Sequence, residues 1–227
     1  MRKMIAGVLA ILLLMMSGTT TVFAAENKEQ TPSGIAYSDL EKQIEDYIEV
    51  RKETTSSVSV TVFDGTDDIA SVIYGDANTK DNIKADKDTV YEWGSISKML
   101  VWTSVMQLYE QGKIDLNTDV RNYLPEDFLS NLSYKEPVTM LHLMNHTAGF
   151  QETVWDVEVT DREKIISLKA ALLSTAPAQI YEPGTVVSYS NWGAALAGYI
   201  VECVSGMDYA DYDRKRDLHT MIYRGFT

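Results

Sequence analysis

Hydrophobic positions recur along this chain in two periods, and the switch between them marks out its elements. Leu40, Ile44, Tyr47 and Ile48 fall at helical spacing, and Ser38-Asp39-Leu40-Glu41 ahead of them has the form of a capping box. Val58, Val60 and Val62 then alternate with Ser59, Thr61 and Phe63, and Ile69 to Tyr74 is a second β-rich run beyond Asp64-Gly65. Such runs on both sides of a turn dipeptide predict a β-hairpin. Helical spacing returns at Met99, Leu100, Val101, Val105 and Leu108, with Gly112 placed to stop the helix. A further apolar helical stretch runs from Leu196 to Val204. Residues 26–36, rich in polar residues with Pro32 and Gly34, predict a short exposed linker. No repeat or low-complexity tract intervenes, so the order is an N-terminal helix and hairpin followed by a largely helical middle.

Composition adds a compartment and removes some partners. At 227 residues, 45% hydrophobic and 23% charged, the chain is long enough for one sizeable core. Arg2 and Lys3 precede an apolar run from Met4 to Met16, and Val22-Phe23-Ala24 offers small residues before Ala25. That pattern predicts a signal peptide over residues 1–24 and an extracytoplasmic product, secreted, periplasmic or held at the cell surface. Membrane association is expected only if this segment stays uncleaved, and its apolar run is shorter than the ~20 residues that span a bilayer. Net charge is −13, or −15 without Arg2 and Lys3, so nucleic acid is not an expected partner. Cys203 is the only cysteine, which rules out an intramolecular disulfide. Its place in the apolar Leu196–Val204 stretch predicts a buried, inert thiol.

The chemistry concentrates at Ser95-Ile96-Ser97-Lys98. A serine hydroxyl needs a nearby base to act as a nucleophile, and a lysine three residues on lies over it on one helix face. A helix N-terminus at Ser95 would also favour developing negative charge. Alone, S-x-x-K is expected roughly once by chance in a chain of average composition. A Ser-His-Asp hydrolase of the G-x-S-x-G type does not fit, because Gly94-Ser95-Ile96-Ser97-Lys98 lacks the second glycine. His142 and His146 are four apart, but Leu143-Met144-Asn145 supplies no glutamate, so the zinc-protease pattern fails. The reading for these histidines is that one packs and one caps a loop, and no metal site is expected.

Four segments in order carry a family resemblance. Tyr91-Glu92-Trp93-Gly94-Ser95-Ile96-Ser97-Lys98 resembles the first motif of the serine β-lactamase and penicillin-binding-protein superfamily, in its class C β-lactamase and DD-peptidase branch. Gln111 to Val120, with Tyr123-Leu124-Pro125, is similar to the segment after the nucleophile helix. Val138 to Phe150, containing His146-Thr147-Ala148-Gly149, resembles that branch's "HTSG" stretch. Glu182-Pro183-Gly184 leading to Tyr189-Ser190-Asn191 resembles its second motif, Y-x-N. The resemblance runs from about Ser38 to Tyr212.

It implies an α+β fold, an α/β sandwich of the β-lactamase/transpeptidase-like type with a helical domain and an antiparallel sheet. It also implies acyl-enzyme chemistry on β-lactams or D-alanyl cell-wall peptides, with no cofactor. By resemblance Ser95 is the nucleophile, with its backbone N–H one oxyanion donor. Lys98 takes part in proton transfer as a neutral amine, Tyr189 relays a proton to the leaving group, and Asn191 holds the substrate's side-chain amide. For Asn191 the residues also allow a turn or helix cap before Trp192-Gly193. The third family motif, K-T-G or H-x-G, is matched by nothing after Asn191; Lys215-Arg216-Asp217 and His219-Thr220-Met221 are not substitutes. The expected organisation is therefore a signal peptide, a linker over 25–36, a partial hydrolase domain over 37–212 with its C-terminal strands missing, and a divergent tail over 213–227. Alternatives at this point are an esterase or other amidase on the same scaffold, and a non-catalytic remnant that at most binds ligand.

Overall fold

The computed structural model describes residues 29–152 and 161–216, so the expected signal peptide and the end of the expected tail lie outside the described residues. The chain divides at Val90/Tyr91 into two compact units.

In the first unit, helix α1 (Leu40–Glu49) follows a 3₁₀ turn over Tyr37–Asp39. The expected capping box does not form. The tighter turn delays the helix to Leu40, which places Glu41 one position short of the N3 site that a box requires. Glu41 Oε1 instead accepts the backbone N–H of Ser71, at 3.3 Å. Leu40 and Ile48 are buried, whereas Tyr47 is 61% exposed with the Arg51 guanidinium 3.6 Å over its ring. The expected linker is in part structured: Gln30 bridges Ala36, and Thr31 Oγ1 accepts the Ile35 N–H.

The hairpin forms as expected. Strands β1 (Ser57–Asp64) and β2 (Asp67–Asn78) pair antiparallel from Ser57↔Gly75 to Asp64↔Asp67, with a bulge at Val62/Phe63. Gly65 supplies the positive φ, +63°, of the two-residue connection. A short β3 (Ile83–Lys84) joins the far side of β2, giving the order β1-β2-β3. α1 packs on β2, where Ala70 and Val72 are buried and Ser71 between them is exposed.

The second unit is helical. Helix α2 (Lys98–Glu110) ends as expected at Gly112, whose φ of +67° lets its N–H reach Tyr109 O and the Lys113 N–H reach Leu108 O. Helices α3 (Met140–Met144), α4 (Leu168–Ser174), α5 (Asn191–Ser205) and α6 (Tyr209–Lys215) begin at side-chain caps from Thr139, Ser167, Ser190 and Asp208. α5 is apolar on most of its circumference because it is the central post, touching α2, α3, α4 and α6. Val105, Leu108, Met140, Phe150 and Tyr212 close the core around it.

Two expectations change here. Cys203 is exposed, not buried. It shares a helical stripe with Leu196 and Ile200, but the core thins in the last turn, where Glu202, Val204 and Ser205 are only half-buried. The boundary expected at 212/213 falls inside α6, whose Tyr212 is fully buried. Among the described residues no helix is long and apolar enough to cross a membrane.

Candidate active site

Ser95 does not lie in the first α-helical turn. Gly94, at φ +51°, opens a 3₁₀ turn over Gly94–Ser97, and α2 begins only at Lys98. At three residues per turn, side chains i and i+3 eclipse, so the tighter winding sets Lys98 directly over Ser95. Lys98 Nζ donates to Ser95 Oγ at 3.1 Å and to Asn191 Oδ1 at 2.6 Å. Tyr189 Oη lies 2.7 Å from Ser95 Oγ, and Lys98 Nζ stands 4.9 Å from the Tyr189 ring centroid. All four residues singled out in the sequence therefore converge on one oxygen or its immediate neighbours.

Two loops hold Tyr189 and Asn191 in place. The backbone of His146–Phe150 laces to that of Ile180–Ser190. The Gly184 N–H reaches Thr147 O, the Ser188 N–H reaches His146 O, and the N–H groups of Ile180 and Tyr181 both reach Gly149 O. Gly149 allows this approach because its φ is +82° and a Cβ there would lie 1.9 Å from Tyr181 O. His146, itself at φ +54°, accepts the Ser190 N–H on Nδ1 at 3.2 Å. Its ring packs on Tyr189 with centroids 4.4 Å apart. Ser190 then caps α5 by accepting the Gly193 N–H at 2.9 Å, so Asn191 is the first helical residue and not the cap.

The histidines take separate tasks. His142 completes a capping box on α3, with Nδ1 accepting the Thr139 N–H while Thr139 Oγ1 accepts the His142 N–H. His146 is the packing residue. Both Nδ1 atoms are thus committed to backbone donors, and among the described residues no cluster of three or more His, Cys, Asp or Glu could hold a metal ion.

Glu152 was not evident from the sequence. Its Oε2 accepts the Asn191 backbone N–H at 2.7 Å and its Oε1 accepts Asn191 Nδ2 at 2.8 Å. A single glutamate 39 residues before its partner carries no spacing signature; only the fold joins them.

Two groups of the cluster are displaced from their ordinary titration ranges. The Lys98 amine first, and then the Ser95 hydroxyl, hold the Tyr189 phenol below the ordinary tyrosine range. Burial lowers His146 below 6.5, Lys98 lowers it further, and Glu152 opposes both. A phenol so shifted ionises more readily than an ordinary tyrosine, and here it donates its hydrogen to Ser95 Oγ at 2.7 Å.

The family model described as Beta-lactamase matches residues 40–217. The chain belongs to the β-lactamase family. Penicillin-binding protein 4 of Amycolatopsis lactamdurans is 31% identical over 132 residues, covering 57% of this chain and 33% of that protein. The octameric penicillin-binding protein homologue from Pyrococcus abyssi aligns with a TM-score of 0.64 at 24% identity, covering 80% of this chain and 42% of that one. A class C β-lactamase from Rhodobacter sphaeroides gives 0.57 at 26% identity, covering 77% and 46%. The fold is accordingly the α+β fold of β-lactamase-family proteins, helical with an antiparallel sheet. This family member spans about a third of the length of the curated relatives it matches.

Proposed function

We propose that the chain carries the nucleophile region of an exported serine hydrolase that acts on β-lactams or D-alanyl cell-wall peptides through an acyl-enzyme at Ser95. The observation that supports this most is the pair of contacts on one oxygen: Ser95 Oγ lies 3.1 Å from Lys98 Nζ and 2.7 Å from Tyr189 Oη. Ser95 Oγ bonds to the amide or lactam carbonyl carbon as its proton passes into the Lys98–Tyr189 pair. Tyr189 returns a proton to the departing nitrogen as the C–N bond breaks. Water then attacks the ester, its proton travels the same path, and Ser95 is restored. Asn191 would hold the substrate's side-chain amide, and the Ser95 N–H would face the oxyanion. Residues 1–24 would direct export and be removed. The match to the family over residues 40–217 supports a hydrolase domain that begins near residue 37.

Intact-protein mass spectrometry after treatment with a penicillin or a fluorophosphonate tests the assignment. The adduct is expected on the peptide bearing Ser95 and absent from Ser95→Ala; an adduct on Ser97 or Ser190 overturns it. Turnover of a chromogenic β-lactam, set against that of a short-chain ester, separates the lactam reading from an esterase. N-terminal sequencing of exported material tests cleavage near Ala24, and a chain still beginning at Met1 in the membrane fraction overturns it.

A further inference from the structure

We propose that Glu152 is a positioning residue for acyl transfer: its carboxylate fixes which way the Asn191 amide faces, and through it where Lys98 sits against Ser95. The proposal rests on the acyl-enzyme reading above and deepens it.

An asparagine amide can be turned over with little change in shape, which exchanges its donor for its acceptor. Asn191 stands between two groups that resolve the choice. A carboxylate only accepts, so the amide nitrogen must face Glu152 Oε1, at 2.8 Å. Oδ1 is then left for Lys98 Nζ, at 2.6 Å. Glu152 grips Asn191 twice, because Oε2 also takes its backbone N–H at 2.7 Å. That N–H belongs to the first residue of α5 and has no acceptor within the helix. The helix N-terminus in turn favours the negative charge. In the acyl-enzyme reading the second Nδ2 hydrogen would serve a substrate carbonyl. One carboxylate thus ties the start of α5, the orientation of the Asn191 amide and the Lys98 amine into a line that ends at Ser95 Oγ.

A purely structural Glu152 would support the end of α5 whatever side chain stands at 191, since one of its two bonds is to backbone. A positioning Glu152 acts through the Asn191 side chain. The two are separated by a cycle of Glu152→Gln, Asn191→Ala and the double variant, read as the rate of Ser95 acylation by a penicillin that carries an acylamino side chain. The change to glutamine keeps the size but leaves one acceptor oxygen where two are needed. In the wild-type background, Glu152→Gln is expected to slow acylation on the order of ten- to a hundredfold, the scale of a misplaced reacting group. In the Asn191→Ala background the same change should cost less than about twofold, because coupled residues are non-additive. Thermal unfolding midpoints of all four proteins should stay above the assay temperature, so that the losses are read on folded chains. Equal fold-losses in the two backgrounds, or no loss in either, overturn the proposal. If the wild-type chain forms no Ser95 adduct, the acyl-enzyme reading fails, and NMR of the Asn191 side-chain amide still decides this one. Its two protons should be well separated in the wild type and converge in Glu152→Gln; an unchanged pair overturns the positioning role.

Discussion

At the scale of single residues, the site is one hydroxyl oxygen with two polar neighbours. Lys98 and Tyr189 both contact Ser95 Oγ, so under the proposed mechanism removing either breaks the same proton path. Lys98→Ala and Tyr189→Phe should each slow Ser95 acylation by on the order of 10²–10⁴, the usual worth of a positioned acid–base group. The double variant should be little worse than the worse single one, and independent multiplicative losses would count against a shared path. Lys98→Arg should fail as well, since a guanidinium keeps its proton. His146 gives a pH dependence whose sign follows from its surroundings. Its folded-state pKa lies below 6.5, so as pH drops below about 6.5 the unfolded chain binds a proton that the folded chain does not. Stability therefore falls with decreasing pH through that window. Protonation also removes the Nδ1 acceptor of the Ser190 N–H. His146→Asn keeps an acceptor and tolerates the positive φ, and it should flatten the fall of the melting midpoint between about pH 7 and about pH 5.

At the scale of elements, α5 and the two loops before it decide whether the cluster exists. Ser190 caps the helix between the two motif residues it separates. Ser190→Ala should cost about 1 kcal/mol by thermal denaturation, and should slow acylation because Tyr189 and Asn191 lose their common anchor. Gly149→Ala is the harsher change, since a Cβ there meets Tyr181 O and φ is positive; soluble folded protein should be sharply reduced, as read by circular dichroism. These elements also show what the sequence makes legible. The Ser95–Lys98 contact is local, so spacing alone suggests it, and Gly112 ends α2 because a helix stop is a local signal too. The hairpin follows from its alternation. The failures have physical causes. The capping box at Ser38 is lost to a one-residue shift of helix start, which a 3₁₀ turn decides. Periodicity gives the face on which Cys203 lies but not how far along α5 the core extends. Glu152 and the packing of His146 on Tyr189 join segments 39 and 43 residues apart, through loops without period.

At the scale of the whole chain, β1 is paired on one side only among the described residues. Beside it a groove of about 450 Å³ runs between α1 and β1, lined by Ile35, Leu40, Ile44, Tyr47, Val58 and Val60. An open strand edge next to apolar surface is a template for a further strand. Against this stands a net charge of −13, which keeps copies apart at low salt. Sedimentation velocity should therefore show self-association that grows with protein concentration and with added salt, as screening shortens the repulsion. Ser59→Lys, on an exposed edge position, should suppress it without moving the melting midpoint. Monodisperse protein at high salt and high concentration would contradict this.

The hydrogen bond from Tyr189 to Ser95 joins residues 94 apart, and the bond from the buried Tyr212 hydroxyl to Gln107 spans 105. A chain emerging from the ribosome thus carries Ser95 and Lys98 long before their partners arrive. Closure of such distant contacts comes late and slowly in folding. Under the proposed mechanism the serine remains chemically silent throughout synthesis and gains its reactivity when α5 docks. A covalent serine probe added during refolding would then serve as a clock for that docking event, labelling only molecules that have completed it.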